Sequence, residues 1–463
     1  RWLMEPPSNK MFRVLGASFI HQLSVSDSNV RFRDYYNTSD AHPISLSINH
    51  VNLDIDKRFF KNIFSFNVNG EIPNEFQATT FEVSGAVDDM KDEIGNQIIP
   101  VQGKIKLHQF NVAEIKPYLG NIFSAVPNDI QLSLESDFSG NIGSNLRSKG
   151  QLKYLKAMVG KKLALRSLDT KNSGEIDYSL ILNNDSIEIE DFKIQSGLNQ
   201  VSGNVKLAGF KLEDPKVSFL VKTSEFKTGE TRNNLPLFLL PESFYKKINE
   251  TVGNGTLEVK YFKYDGLLKQ LQNLDLKESN NRLATKISFK KTDWHSPFPQ
   301  LKKVTGFFEY KNNEGYIEIK EARYEGLPIA NIRGTIKDVM NNPLADLSIE
   351  TELDLRRLNN ALKKAISGKS FKNILDDYQK VVGKGFLKGK LTGPLKEVEK
   401  LFIMAVISAK DASFYDAYLQ SPIRDFNGEI YFNHVSAENQ KQSKSPVPIV
   451  EGKNLSGKFG NSE

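Results

Sequence analysis

Apolar side chains recur at every second position along almost the whole chain, as in Ile44-Leu46-Ile48, Val51-Leu53-Ile55, Ile130-Leu132-Leu134, Ile187-Ile189 and Leu257-Val259-Tyr261. A period of two places alternate residues on opposite sides of a strand, so each such strand has one apolar face and one wetted face. Between Ile48 and Val51 the alternation slips by one residue. A slip of this kind predicts a β-bulge, which bends the strand and re-aims its side chains. The chain must therefore build a large, curved, one-sided sheet.

Within the strands the pattern apolar-x-Gly-x-apolar repeats. It is centred on Gly70, Gly85, Gly103, Gly140 and Gly203 in the first half and on Gly306, Gly334, Gly389, Gly428 and Gly457 in the second. Positions i, i+2 and i+4 share a face, so Gly85, Gly103, Gly203, Gly306, Gly334, Gly389 and Gly428 are expected on the apolar face between large side chains. A missing side chain there permits sharp coiling or leaves room against the sheet. Relief of crowding inside a closed sandwich or barrel is the alternative. A longer match pairs Leu301, Val304, Gly306, Phe308 and Tyr310 with Ile423, Phe426, Gly428, Ile430 and Phe432, 122 residues further on (423 minus 301). Such repetition suggests a stack of related units, approximately 1–128, 129–250, 251–353 and 354–463.

Helical spacing is confined to Val112–Ala125, Pro241–Ile248 and Leu355–Val382. The last reads as an insert at about 354–383 holding two helices, the second with Ser370 as N-cap and Gly383 as C-cap. So few helices cannot cover the sheet. An uncovered apolar face must either close on itself or fold into a trough filled by an apolar ligand. The glycines and the lack of helices favour the trough. The expected fold is mostly β, a long, strongly curved antiparallel sheet folded into a taco-like apolar groove with a few short helices. Its floor is expected to comprise Val101, Ile105, Leu107, Val201, Val205, Val304, Phe308, Ile332, Ile336, Leu387, Leu391, Phe426 and Ile430.

The 463 residues are 39% hydrophobic and 25% charged, the composition of a folded protein that can bury a core. The net charge of +6 arises from 62 basic and 56 acidic residues spread throughout, with no basic stripe for nucleic acid. The absence of cysteine excludes disulfides, thiolate catalysis and Cys-based zinc sites. No apolar run approaches the roughly 18–20 residues needed to span a bilayer. The opening Arg1-Trp2-Leu3-Met4-Glu5-Pro6-Pro7 has no signal-peptide core, so the chain reads as an excerpt with any anchoring segment upstream.

No catalytic constellation emerges. The histidines His21, His42, His50, His108, His295 and His434 are scattered singly, without ligand spacing. Gly452-Lys-Asn-Leu-Ser-Gly-Lys458 approaches a phosphate loop, but Phe459 replaces the required Ser/Thr and the segment belongs to the glycine-strand pattern. Asp293-Trp294-His295 reads as a turn before a strand rather than an acid–base pair. No enzyme activity, cofactor or metal is expected.

The stretches Leu301–Tyr310, Gly315–Ile319 and Tyr324–Asp338 resemble the recurring block of AsmA-like proteins. A second block, Gly385-Phe-Leu-Lys-Gly389-Lys-Leu-Thr-Gly393-Pro394-Leu followed by Ala412-Ser-Phe414 and Ser421–Phe432, resembles it too. Val30-Arg-Phe32-Arg-Asp34 and Ile115-Lys-Pro-Tyr118-Leu119 are similar to that family's pattern. The resemblance implies a periplasmic β-groove protein of a Gram-negative bacterium, anchored in the inner membrane by a segment missing from this chain. It implies phospholipid acyl chains as cargo moving toward the outer membrane, and outer-membrane or periplasmic protein partners. Two other expectations compete: an assembly factor for outer-membrane proteins that uses exposed strand edges, and a structural array of β-sandwich modules.

Overall fold

Alternation becomes strand almost wherever it occurs. The computed structural model describes residues 21–34, 44–57, 63–73, 78–88, 90–91, 97–111, 131–155, 174–196, 199–210, 212–228, 252–272, 281–295, 300–339, 341–365, 376, 378–397, 400–418, 420–434 and 449–460. The order begins β1 (Gln22–Asp34), β2 (Ile44–Lys57), β3 (Ile63–Ile72), β4 (Thr79–Asp88), β5 (Met90–Lys91), β6 (Gln97–Ile98) and β7 (Pro100–Asn111). It continues with β8 (Gln131–Asn141), β9 (Asn145–Leu155), β10 (Gly174–Asn183), β11 (Ser186–Ser196), β12 (Asn199–Ala208) and β13 (Lys216–Thr223). Then come β14 (Phe226–Lys227), β15 (Thr256–Leu267), α1 (Leu268–Gln272), β16 (Leu283–Trp294), β17 (Leu301–Lys311), β18 (Glu314–Tyr324), β19 (Leu327–Lys337) and β20 (Leu344–Asp354). The last elements are α2 (Leu355–Ala365), β21 (Tyr378–Pro394), β22 (Phe402–Asp416), β23 (Ser421–His434) and β24 (Ile449–Phe459).

Among the described residues, β5 and β6 form a small separate hairpin, and the other strands make one 22-stranded sheet. That sheet is antiparallel, as expected, and of the two ways open to it, closure or a curved open sheet, it does not close into a barrel. Strands pair with their chain neighbours, for example β3 with β4, β4 with β7 across the small hairpin, and β22 with β23.

The sheet bends through a recurring bulge. In β2 the predicted slip is present: the pairing with β3 jumps between Asn49 and Asn52, and His50 takes the left-handed backbone (φ 51°). The same left-handed residue stands at Lys303 in β17 (φ 54°), Asn331 in β19 (φ 53°), Asp425 in β23 (φ 51°) and Asn454 in β24 (φ 52°). Each lies two residues after one residue of the apolar face and one before the next, so the extra residue keeps that face continuous while turning the strand.

A bulge leaves an amide without its ladder partner, and neighbouring side chains accept it. Gln109 N–H donates to Ser133 Oγ (3.2 Å), Lys303 N–H to Asp293 Oδ1 (3.1 Å), Ala330 N–H to Thr351 Oγ1 (3.1 Å) and Asp411 N–H to Asn427 Oδ1 (2.9 Å). Thr351 is only 4% exposed, whereas the bond to Asn427 faces solvent. Thr351→Val keeps the shape but leaves the half-buried Ala330 N–H without its acceptor, so urea unfolding is expected to register a loss of about 1–3 kcal/mol. Asn427→Ala, where water can replace the amide, is expected to cost less than about 1 kcal/mol. Equal costs at the two sites would show that the Thr351 hydroxyl does not cap the bulge.

Contacts divide the chain into two units. The first is Arg1–Ser224, Glu230–Leu239 and Tyr264–Lys269; the second is Glu225–Gly229, Leu240–Lys263 and Gln270–Glu463. In the first, Val87, Ile99 and Val101 form a buried cluster flanked by Phe66 and Phe138. In the second, Leu257, Phe289, Val304, Ile317, Ile319 and Ala322 form a larger one.

The helical insert is present at its start and departs from expectation at its end. Helix α2 begins at Leu355, where Asp354 Oδ1 accepts the Arg357 N–H at 2.9 Å as a side-chain cap. For the second helix of the insert, residues 370–375 lie outside the described residues and Asp376 is helical, but Tyr378 to Val382 open β21, and Gly383 (φ 126°) lies within that strand instead of capping a helix. The Tyr378 ring packs edge-on to Phe414 at 5.4 Å, a cross-strand contact that no local periodicity reveals. Val112–Ala125, Pro241–Ile248 and Ser370 lie outside the described residues.

Candidate functional site

The pairing register builds the apolar face from individual residues. In the first unit, Phe81, Leu107, Leu134, Leu152, Ile176, Ile194 and Val201 stand directly opposite one another across seven successive strands of the sheet. In the second, Ile287, Phe308, Ile317, Gly334, Leu347, Leu391 and Ile403 form a comparable row from β16 to β22. A row of this kind is an apolar strip running across the strands.

All the residues predicted to line the floor fall on this face. Val304 (0% exposed), Ile336 (7%), Val101 (8%) and Val201 (8%) are buried among their neighbours and act as packing beneath the surface. Ile105, Leu107, Val205, Phe308, Ile332, Leu387, Leu391, Phe426 and Ile430 are half-buried and retain accessible surface. Leu387 packs with Leu327, Leu353, Leu358 and Ala361, so α2 lies on the floor at β19–β21. Phe426 joins an edge-on aromatic stack with Phe414 (5.6 Å).

The glycines of the repeated motif do not leave vacancies. A Cβ on Gly103 would run into the Ser84 carbonyl oxygen and the Phe138 ring, and one on Gly334 (φ 159°) into the Asp346 carbonyl oxygen. Gly85, Gly203 and Gly306 meet neighbouring carbonyls in the same way, while Gly389 is covered by Ile349 and Gly428 by Leu455. These glycines permit close strand approach, and adjacent side chains take the space above them. Phe138 belongs to the motif centred on Gly140, but its place over Gly103, like that of Phe66 over Gly85, follows from non-local strand pairing that the sequence pattern does not reveal.

The opposite face is charged. Lys106–Glu82 (3.2 Å), Lys104–Asp137 (3.3 Å) and Lys206–Glu188 (2.7 Å) pair across strands in the first unit, and Lys390–Asp346 (3.1 Å) in the second. A cleft of about 650 Å³ on the first unit is bordered mainly by polar groups, including Lys104, Asp137, Arg147, Lys149 and Glu190.

In the second unit Glu309 accepts from Lys286 Nζ (2.8 Å) and Tyr261 OH (2.7 Å). Those hydrogen bonds, the lysine's first, hold the Glu309 carboxyl below the usual carboxylate range. Burial, then the bond to Glu309, pushes the Tyr261 hydroxyl up to about 12. A lowered carboxyl pKa gives stability that is present above the unfolded-state pKa and lost as pH falls through the folded value. The difference in urea midpoint between the wild type and Glu309→Gln is therefore expected to be full at neutral pH and to vanish in acid. A difference independent of pH would contradict this pairing.

Among the described residues no three His, Asp or Glu side chains gather as a metal site. Asp293 is occupied in capping the Lys303 amide, and Trp294 packs edge-on to Phe289 at 4.8 Å. Gly452–Lys458 lies within strand β24 rather than in a loop. Among the described residues no helix is long and apolar enough to cross a membrane. Comparison with protein families, curated proteins and solved structures finds no match to this chain.

Proposed function

We propose that this chain is a non-enzymatic phospholipid carrier, whose apolar face holds acyl chains as lipid moves through the periplasm between inner and outer membranes. The observation that carries the reading is the set of in-register apolar rows on one large sheet that does not close into a barrel. Moving an acyl chain into water costs about 0.8 kcal/mol per CH₂, on the order of 12 kcal/mol for sixteen carbons. An apolar floor removes most of that barrier, and headgroups remain at the wetted edge. The resemblance to AsmA-like proteins supports the compartment and the cargo.

An array of closed β-sandwiches would divide its strands among several sheets of similar size, and among the described residues all strands but β5 and β6 share one.

The test is a photo-reactive residue at Ile105 on the apolar face or at Lys104 on the opposite face, irradiated in cells. Lipid carriage predicts phospholipid adducts at 105 and none at 104. No lipid adduct at 105, or equal capture at 105 and 104, would contradict it.

A further inference from the structure

One group of hydroxyls interrupts the apolar face of the first unit. Ser136, Ser148 and Tyr178 lie on the adjacent strands β8, β9 and β10 and are hydrogen-bonded in line, Ser136 Oγ to Ser148 Oγ at 2.7 Å and Ser148 Oγ to Tyr178 OH at 3.4 Å. Ser136 is 3% exposed and donates to the Lys149 carbonyl at 3.1 Å. The Asp137 carbonyl lies within reach of Ser136 Oγ as well (3.3 Å), and whichever way the shared protons run, the phenolic proton of Tyr178 has at most the Ser148 contact to hold it, which makes Tyr178 the donor at the open end of the chain. At 3.4 Å the Tyr178 bond is weak, and both Tyr178 and Ser148 keep accessible surface. Gly150 stands between Ser136 and Tyr178 in register, while Leu180 is paired with Ser148.

Resting on the lipid-carrier reading, we infer that this hydroxyl chain holds the acyl ester of a diacyl lipid. Tyr178 OH donates to the ester carbonyl while the tail lies along the neighbouring apolar rows. A hydrocarbon or an ether-linked lipid lacks that acceptor and leaves the hydroxyl with only its long bond to Ser148. The site thus favours ester-linked over ether-linked lipid of the same headgroup and chain length. A hydrogen bond of ordinary net strength corresponds to a preference of about fivefold.

The full chain carries a photo-reactive residue at Leu180, beside the hydroxyls, or at Ile332 on the second unit's floor, and receives an equimolar mixture of diacyl and dialkyl phosphatidylcholine. The expected result is an excess of diacyl adduct of about fivefold at 180, none at 332, and loss of the excess in Tyr178→Phe. Ser148→Ala, which removes the partner of the tyrosine, is expected to alter the excess at 180 alone. Equal capture of both lipids at 180, or an excess that survives Tyr178→Phe, overturns the ester site while leaving lipid carriage intact. Capture of neither lipid at either position overturns both.

Discussion

Val304→Asp is expected to unfold the second unit in conditions where the wild type is stable. Val304 has no exposed surface and sits with Leu257, Phe289, Ile317, Ile319 and Ala322. The substitution removes buried methyl groups and places a carboxyl where it must either protonate or break the packing. Together these cost about 4 kcal/mol or more, a large part of the stability of an ordinary domain. Val382, 45% exposed on β21, provides the control: Val382→Asp is expected to cost less than about 1 kcal/mol. Urea unfolding followed by circular dichroism separates the two. Comparable losses would mean that Val304 is no more central to the fold than a surface position.

The second large effect concerns cargo. Val205→Asp and Ile430→Asp place a charge on half-buried floor positions, where the chain keeps enough solvent access to remain folded. A lipid tail lying over such a carboxylate would strip its water, at a cost of several kcal/mol. Bound phospholipid per folded protein is expected to fall at least about tenfold, which corresponds to about 1.4 kcal/mol. Asn204→Asp adds the same charge to the opposite face beside Val205 and is expected to leave lipid content unchanged. Folded Val205→Asp and Ile430→Asp proteins that retain normal lipid would remove the apolar face from the mechanism.

Much of this architecture can be read along the chain because a strand's side-chain period is local. The alternation around Leu132-Leu134 and Ile187-Ile189 specifies strands and their apolar side, and the Ile48/Val51 slip specifies a bulge. The repeat linking Leu301–Tyr310 to Ile423–Phe432 carries its bulge with it, since Lys303 and Asp425 occupy equivalent positions and both take positive φ. Non-local features escape such a reading. Tyr378 to Val382 match a helical spacing, but pairing with β22 and the Phe414 ring draws them into strand. Burial depth is equally hidden: Val304 and Phe308 share a face and a sequence pattern, yet only Val304 lies wholly beneath its neighbours. The Ser136–Ser148–Tyr178 chain was missed because its members are scattered over three strands and carry no motif.

The most direct measurement is mass spectrometry of lipids extracted from the purified, detergent-free protein, alongside a globular periplasmic protein prepared identically. Carriage along the apolar face predicts phospholipid in stoichiometric amount, enriched over the control. A soluble, folded protein that yields no lipid would mean that the apolar face closes on itself, and would contradict the proposed function.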